Sequence, residues 1–126
     1  MPKKKIMIVD DDIEFLEELK EMLTLSGYDI AAFSDGATAL KMVNKIQPDV
    51  ILLDLKMKGL SGFEVADEIK HSSRTAHIPV IAVTAHYTEK EQASLMNICG
   101  IEACLIKPTD PLAVIEKIEA VLKRRG

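Results

Sequence analysis

Cysteines and long apolar runs are scarce in this sequence, and their scarcity excludes several classes of protein. The two cysteines, Cys99 and Cys104, have a spacing that matches neither a zinc site nor a redox motif, so we expect two reduced thiols. No apolar stretch is long enough to span a bilayer, and residues 1–9 show no signal-peptide core before the first strand pattern. We therefore expect a cytoplasmic protein without membrane contacts.

Basic residues are not in excess, and repeats, linkers and low-complexity segments are missing. The 16 basic and 20 acidic residues give a net charge of -4, which disfavours direct contact with nucleic acid. A length of 126 residues with 48% hydrophobic and 29% charged residues is typical of one globular domain. We predict a single domain over residues 1–126.

Five apolar runs alternate with five amphipathic helical patterns. A short, wholly apolar run predicts a strand that is buried on both faces of a sheet. The second run is of mixed character, which suits a sheet edge. The predicted strands are Ile6–Val9, Tyr28–Phe33, Val50–Leu53, Val80–Val83 and Ala103–Ile106. Because the connections are short, we predict an α/β fold with a parallel sheet covered on both faces.

Polar residues mark the starts of the predicted helices, and glycines mark two of their ends. Gly27 and Gly100 are suited to the left-handed residue that follows a helix. The segment from His71 to His77 is predicted to be a polar loop with solvent-facing histidines. The predicted N-terminal capping residues of the last four helices are Asp35, Ser61, Thr88 and Asp110.

Four predicted strands end in residues that can take part in chemistry. Taken singly, each has an ordinary explanation, because acids after strands often cap helices or form turns. In a parallel sheet, however, all carboxyl ends lie at one edge, where α/β proteins bind ligands. We therefore predict that three carboxylates, a hydroxyl and an ammonium group converge there, from Asp10, Asp11, Asp54, Thr84 and Lys107.

Such a cluster predicts phosphoryl transfer with a bound metal ion. Neighbouring carboxylates repel one another unless a cation lies between them, and oxygen ligands with open water positions favour Mg²⁺. Asp54 would be the nucleophile, because carboxylates form acyl phosphates. Lys107 and Thr84 would contact the phosphoryl oxygens.

This ordered set of residues resembles the receiver domain of bacterial two-component response regulators. The resemblance covers the whole chain. It implies a doubly wound (βα)5 fold of the flavodoxin type, with strand order 2-1-3-4-5. It also implies a signalling domain that catalyses only its own phosphorylation and dephosphorylation. The residues that carry the resemblance are Asp10, Asp11, Asp54, Met57, Gly62, Thr84, Ala85, Lys107 and Pro108.

The resemblance implies that Asp54 takes a phosphoryl group from a phosphohistidine of a sensor histidine kinase or phosphotransfer protein. It also implies that Asp11 and Asp54 ligate Mg²⁺ through their side chains. Lys56 would contribute its backbone carbonyl, and Asp10 would act largely through water.

The resemblance further implies how the phosphoryl group is sensed. Thr84 and Lys107 would contact it and couple it to the face formed by the fourth helix, fifth strand and fifth helix. A downstream protein effector would bind there, and a phosphorylation-linked dimer is a further expectation. The Lys107–Pro108 bond is expected to be cis.

Three residues depart from the pattern of the family, and two others suggest a further hypothesis. Lys58 stands where the family usually has proline, so we expect a less rigid loop after Asp54. Cys104 stands where an aromatic usually acts in the switch, and Thr109 replaces another frequent aromatic. We expect the switch to depend on Thr84, with Cys104 in the aromatic position. Lys56 and His86, two residues beyond Asp54 and Thr84, are predicted to modulate the lifetime of the acyl phosphate.

Three alternatives remain. One is a receiver fragment of a larger regulator or hybrid kinase. Another is a Mg²⁺-dependent aspartyl-phosphate phosphohydrolase, which generally needs a second acid where Lys56 stands. The last is a binding module that keeps the fold and never gains a phosphoryl group.

Overall fold

The computed structural model describes residues 2–85 and 89–125. Strands and helices alternate strictly along this part of the chain, as predicted. The elements, in order, are β1 (Lys5–Val9), α1 (Ile13–Leu25), β2 (Asp29–Phe33), α2 (Gly36–Ile46), β3 (Val50–Leu53), α3 (Gly62–His71), β4 (Val80–Thr84), α4 (Glu89–Cys99), β5 (Ala103–Ile106) and α5 (Pro111–Arg125). No helix in the described ranges is long and apolar enough to cross a bilayer.

The strands form one parallel sheet in the order β2-β1-β3-β4-β5, which confirms the predicted fold class and order. The weakly apolar β2 lies at one edge, as its mixed sequence predicts. Val9 in β1 pairs with Leu53 in β3, so the residues that follow these two strands begin side by side. This is the point where the strand order reverses, and it is where open α/β sheets bind ligands.

Apolar side chains cover both faces of the sheet. Met7 and Val9 lie in one cluster with α2 and α3, whereas Ile6 and Ile8 lie in a second cluster with α1 and α5. The alternation arises because successive side chains of a strand point to opposite faces. The four residues of β3 are all buried, so their packing fixes the position of Asp54 at the sheet edge.

The helix starts follow the predicted capping residues where they are described. The Asp35 carboxylate accepts hydrogen bonds from the backbone N–H and hydroxyl of Thr38, and the Ser61 hydroxyl accepts one from the Glu64 N–H. Asp110 Oδ1 likewise accepts from the Leu112 N–H at 2.8 Å. The predicted cap Thr88 lies outside the described residues.

Four boundaries differ by one residue from the sequence predictions, because β1 begins at Lys5 rather than Ile6 and β4 ends at Thr84 rather than Val83. The second strand begins at Asp29 rather than Tyr28, and α3 extends through His71, which was assigned to the following loop. His71 remains helical, with Nδ1 at 2.7 Å from the backbone oxygen of Asp67, one turn earlier. Both His71 and His77 are exposed, as expected.

Candidate functional site

Three carboxylates meet where β1 and β3 end. Asp10 and Asp11 follow β1, and Asp54 follows β3, with the Asp54 N–H donating to the Val9 carbonyl oxygen at 2.9 Å. One carboxylate oxygen from each acid lies within 4.8 Å of the other two. Asp10 is 2% exposed and Asp54 is 7% exposed, while Asp11 is half-buried. The predicted convergence of the three acids is therefore present in the fold.

Lys107 reaches this cluster from the end of β5. Its Nζ lies 2.7 Å from Asp10 Oδ2 and 3.7 Å from Asp54 Oδ2, so one ammonium bridges two of the acids. The peptide bond between Lys107 and Pro108 is cis, which confirms that expectation.

Thr84 ends β4 at the same edge of the sheet as the three acids. Thr84 is fully buried at the end of β4, and its Oγ1 has no hydrogen-bond partner among the described residues. A buried hydroxyl without a partner is costly, because it has lost its bonds to water. The Thr84 hydroxyl can therefore donate a hydrogen bond to a group that binds at the sheet edge.

Burial and negative neighbours perturb Asp54. Loss of solvent and the Asp10 carboxylate raise the pKa of Asp54 to about 6, and Asp11 adds to this rise. The Lys56 N–H and the Lys107 ammonium oppose it. A cation bound beside Asp54 would offset its negative neighbours and lower its pKa, so the carboxyl group would ionise.

Backbone N–H groups of the β3–α3 loop, residues 55–61, hold the acids in place. The Lys56 N–H donates to Asp54 Oδ1 at 3.2 Å, and the Lys58 N–H donates to Asp11 Oδ2 at 3.0 Å. The loop returns against the strand end at Gly62, where an added Cβ would lie 2.2 Å from the Asp54 carbonyl oxygen. Only glycine fits this close approach without displacement of the backbone.

The remaining predicted residues lie in different places. The exposed Lys56 lines a cavity of about 230 Å³ together with Asp54, Ala85, Lys107 and Asp12. Cys104 is half-buried in β5, and it packs against the cluster beneath α2 and α3. Burial raises the pKa of its thiol. The predicted modulator His86 lies outside the described residues.

Sequence reasoning missed a role for Phe15. Lys107 Nζ lies 4.3 Å from the centroid of the Phe15 ring, a contact that the sequence alone does not indicate. The signal that could have found it is its position in the first turn of α1, directly after the acids that end β1.

The donor set fits a hard divalent cation. The acids offer only oxygen, they lie close enough to share one ion, and the one positive charge of Lys107 does not neutralise three carboxylates. Oxygen-only ligation of this kind suits Mg²⁺ or Ca²⁺ rather than a metal that prefers sulfur or nitrogen ligands.

Comparisons with known proteins agree with this fold. Residues 6–119 match the family described as response regulator receiver domain. A probable transcriptional regulator, ycf27, of Guillardia theta is 33% identical over 122 residues, which are 97% of this chain and 46% of that protein. The chain spans about half the length of the curated relatives it matches.

Two solved structures share the whole fold. The response regulator from Desulfuromonas acetoxidans is 30% identical, with a TM-score of 0.87 and coverage of 95% of this chain and 97% of that one. The Vibrio cholerae chemotaxis protein CheY4 is 25% identical, with a TM-score of 0.89 and coverage of 95% and 99%.

The sheet order and the acid cluster define a doubly wound α/β domain with a carboxylate site at its switch point. The chain belongs to the response regulator receiver domain family. The domain is therefore a receiver of two-component signal transduction.

Proposed function

We propose that Asp54 accepts a phosphoryl group from the phosphohistidine of a sensor histidine kinase or phosphotransfer protein, in a Mg²⁺-dependent reaction. The observation that carries this proposal is the meeting of three carboxylates with the Lys107 ammonium, whose Nζ lies 3.7 Å from Asp54 Oδ2. A carboxylate in such a site is a nucleophile that can form an acyl phosphate.

In the proposed transfer, one oxygen of the Asp54 carboxylate bonds to phosphorus while the bond from phosphorus to the donor imidazole nitrogen breaks. The electron pair of the broken bond leaves with the imidazole. The Lys107 ammonium then donates a charge-assisted hydrogen bond to a phosphoryl oxygen. The buried Thr84 hydroxyl donates to another phosphoryl oxygen, which supplies the partner that it lacks among the described residues.

Asp11 and Asp54 would hold the Mg²⁺ ion through their side chains. The Lys56 backbone carbonyl would be the third protein ligand, and Asp10, which already pairs with Lys107, would act largely through water. When bound, the ion supplies positive charge that offsets the acids and stabilises charge on the transferred oxygens.

We further propose that Thr84 carries the signal outward. Its movement toward the phosphoryl group would alter the face formed by α4, β5 and α5, with Cys104 in β5 in place of an aromatic. That face would bind a downstream protein, or a further domain if the chain is the receiver portion of a longer regulator. The Lys56 side chain, which lines the cavity beside Asp54, would modulate the acyl phosphate lifetime together with His86.

Acetyl phosphate tests the transfer and its metal dependence. We expect the intact mass to increase by one phosphoryl group with Mg²⁺ and to stay unchanged with excess EDTA. A metal-independent adduct would contradict the proposed role of the acids. Sustained hydrolysis of a generic phosphoester, with no adduct, would support the phosphohydrolase instead.

A further inference from the structure

We propose that Phe15 is a positioning residue for Lys107, and that the face of its ring holds the Lys107 ammonium beside Asp10 and Asp54. This inference rests on the phosphoacceptor function proposed above. It concerns a different part of that site, because Phe15 makes no covalent bond and contacts neither metal nor phosphoryl group.

The ring is fixed by its place in α1. Phe15 lies in the first turn of the helix, where its N–H donates to the capping Asp12 Oδ1 at 3.2 Å. Its half-buried side chain packs against the cluster of α1 and α5. The cap fixes the backbone of Phe15 and the packing restricts where its ring can lie.

The contact with Lys107 has the geometry of a cation–π interaction. Lys107 Nζ lies 4.3 Å from the ring centroid, well inside the range of about 6 Å in which such interactions act. The same Nζ is 2.7 Å from Asp10 Oδ2 and 3.7 Å from Asp54 Oδ2. The ammonium thus has two carboxylates and one aromatic face as neighbours, and its side chain is only 16% exposed.

An aromatic face suits this ammonium better than a third carboxylate or an aliphatic side chain. A further carboxylate would add negative charge to a site that already holds three acids. An aliphatic side chain would fill the space without attracting the cation. The ring attracts the ammonium through the negative potential of its face, which lacks the fixed direction of a hydrogen bond. Lys107 can therefore shift from a carboxylate to a phosphoryl oxygen while it stays in the site.

The simpler explanation is that Phe15 only fills the apolar cluster. Stepwise fluorination separates the two explanations, because fluorine withdraws electron density from the ring face while the ring keeps nearly the same shape. We would place phenylalanine with one, two or three ring fluorines at position 15, and in matched proteins at the half-buried Phe33 of β2. Phe15→Leu and Phe15→Tyr complete the series.

We expect the rate of Mg²⁺-dependent phosphorylation by acetyl phosphate to fall with each fluorine at position 15. Loss of the interaction corresponds to about a two- to thirtyfold change in total, by conversion of the strengths of cation–π contacts from exposed to desolvated sites. Phe15→Leu would match the most fluorinated protein, Phe15→Tyr would match the parent, and the Phe33 series would be flat. Melting temperatures would identify any loss of rate that comes from unfolding.

The unphosphorylated protein gives a second readout that does not depend on phosphoryl transfer. A ring face above the ammonium shifts the nuclear magnetic resonances of the Lys107 ε-methylene protons upfield, and Phe15→Leu should abolish that shift. Absence of the shift in the parent, or a flat fluorine series at position 15, would overturn the role of Phe15. A clear shift in a parent that gains no phosphoryl group would instead overturn the proposed function, and with it the use of this contact in transfer.

Discussion

The backbone N–H of Lys58 donates a 3.0 Å hydrogen bond to Asp11 Oδ2, across 47 positions of the chain. Lys58 stands where the resemblance leads one to expect proline, which has no N–H to donate. The loop after Asp54 therefore has a restraint that proline could not supply. This restraint acts on an acid of the proposed metal site, so loop and site are physically connected.

We predict that Lys58→Pro lowers the free energy of unfolding of the metal-free protein by about 1.5–3 kcal/mol, the range for a lost hydrogen bond to a charged group. Lys58→Ala keeps the N–H and should stay within about 0.5 kcal/mol of the parent. Urea unfolding in EDTA measures both. In an Asp11→Ala background the difference between the two variants should shrink. An undiminished difference would mean that the proline acts through strain and not through the bond to Asp11.

Gly62→Ala should be among the most damaging single-methyl additions in this chain. The new Cβ would lie 2.2 Å from the Asp54 carbonyl oxygen and 2.5 Å from the Leu55 Cα, so backbone atoms would have to move. We expect a loss of about 3 kcal/mol or more in the free energy of unfolding. Gly59→Ala is the matched control, because its Cβ meets nothing within 4 Å and only the positive φ of 75° opposes it. Equal losses for the two variants would contradict this account.

Stability should decrease as the pH rises through the raised pKa of Asp54. With a pKa of about 6 in the folded protein and 3.8 as the ordinary value, the folded state binds more protons than the unfolded state between these pH values. The contribution of Asp54 to the free energy of unfolding should then fall by roughly 2–3 kcal/mol from about pH 4 to about pH 7.

Asp54→Asn removes this titration. In EDTA the variant should therefore be more stable than the parent near neutral pH, and the two should converge at low pH. Urea unfolding at several pH values measures the difference. Parallel curves for the two proteins would show that the proton is not bound at Asp54.

Thr84→Val should stabilise the unphosphorylated protein by about 1 kcal/mol, because it replaces a buried hydroxyl without a described partner by a methyl group of similar volume. Thr84→Ser keeps the hydroxyl and loses a methyl group, so it should be less stable than the parent. Chemical unfolding ranks the three proteins. A destabilised Thr84→Val would reveal a hydrogen bond in the resting state and weaken the proposed role of Thr84 in sensing.

The sheet and the cluster of acids can be predicted from the sequence, whereas the contacts that side chains and loops make cannot. The run Val50–Leu53 predicts a buried strand because it is short, wholly apolar and follows Pro48, and Asp54 then stands at the end of that strand. The contact of Phe15 with Lys107 depends on where a flexible lysine side chain settles 92 positions away in sequence (107 minus 15). The bond from Lys58 to Asp11 depends on the path of a loop, which no periodic pattern encodes.

The central claim is that Asp54 is the phosphoacceptor, and intact mass after incubation with acetyl phosphate and Mg²⁺ tests it most directly. Asp35→Asn is the matched control, because Asp35 only caps α2 and asparagine caps helices as well as aspartate does. The parent and Asp35→Asn should each gain the mass of one phosphoryl group, and Asp54→Asn should gain none. An adduct that persists in Asp54→Asn, or a parent that gains no mass, would contradict the account.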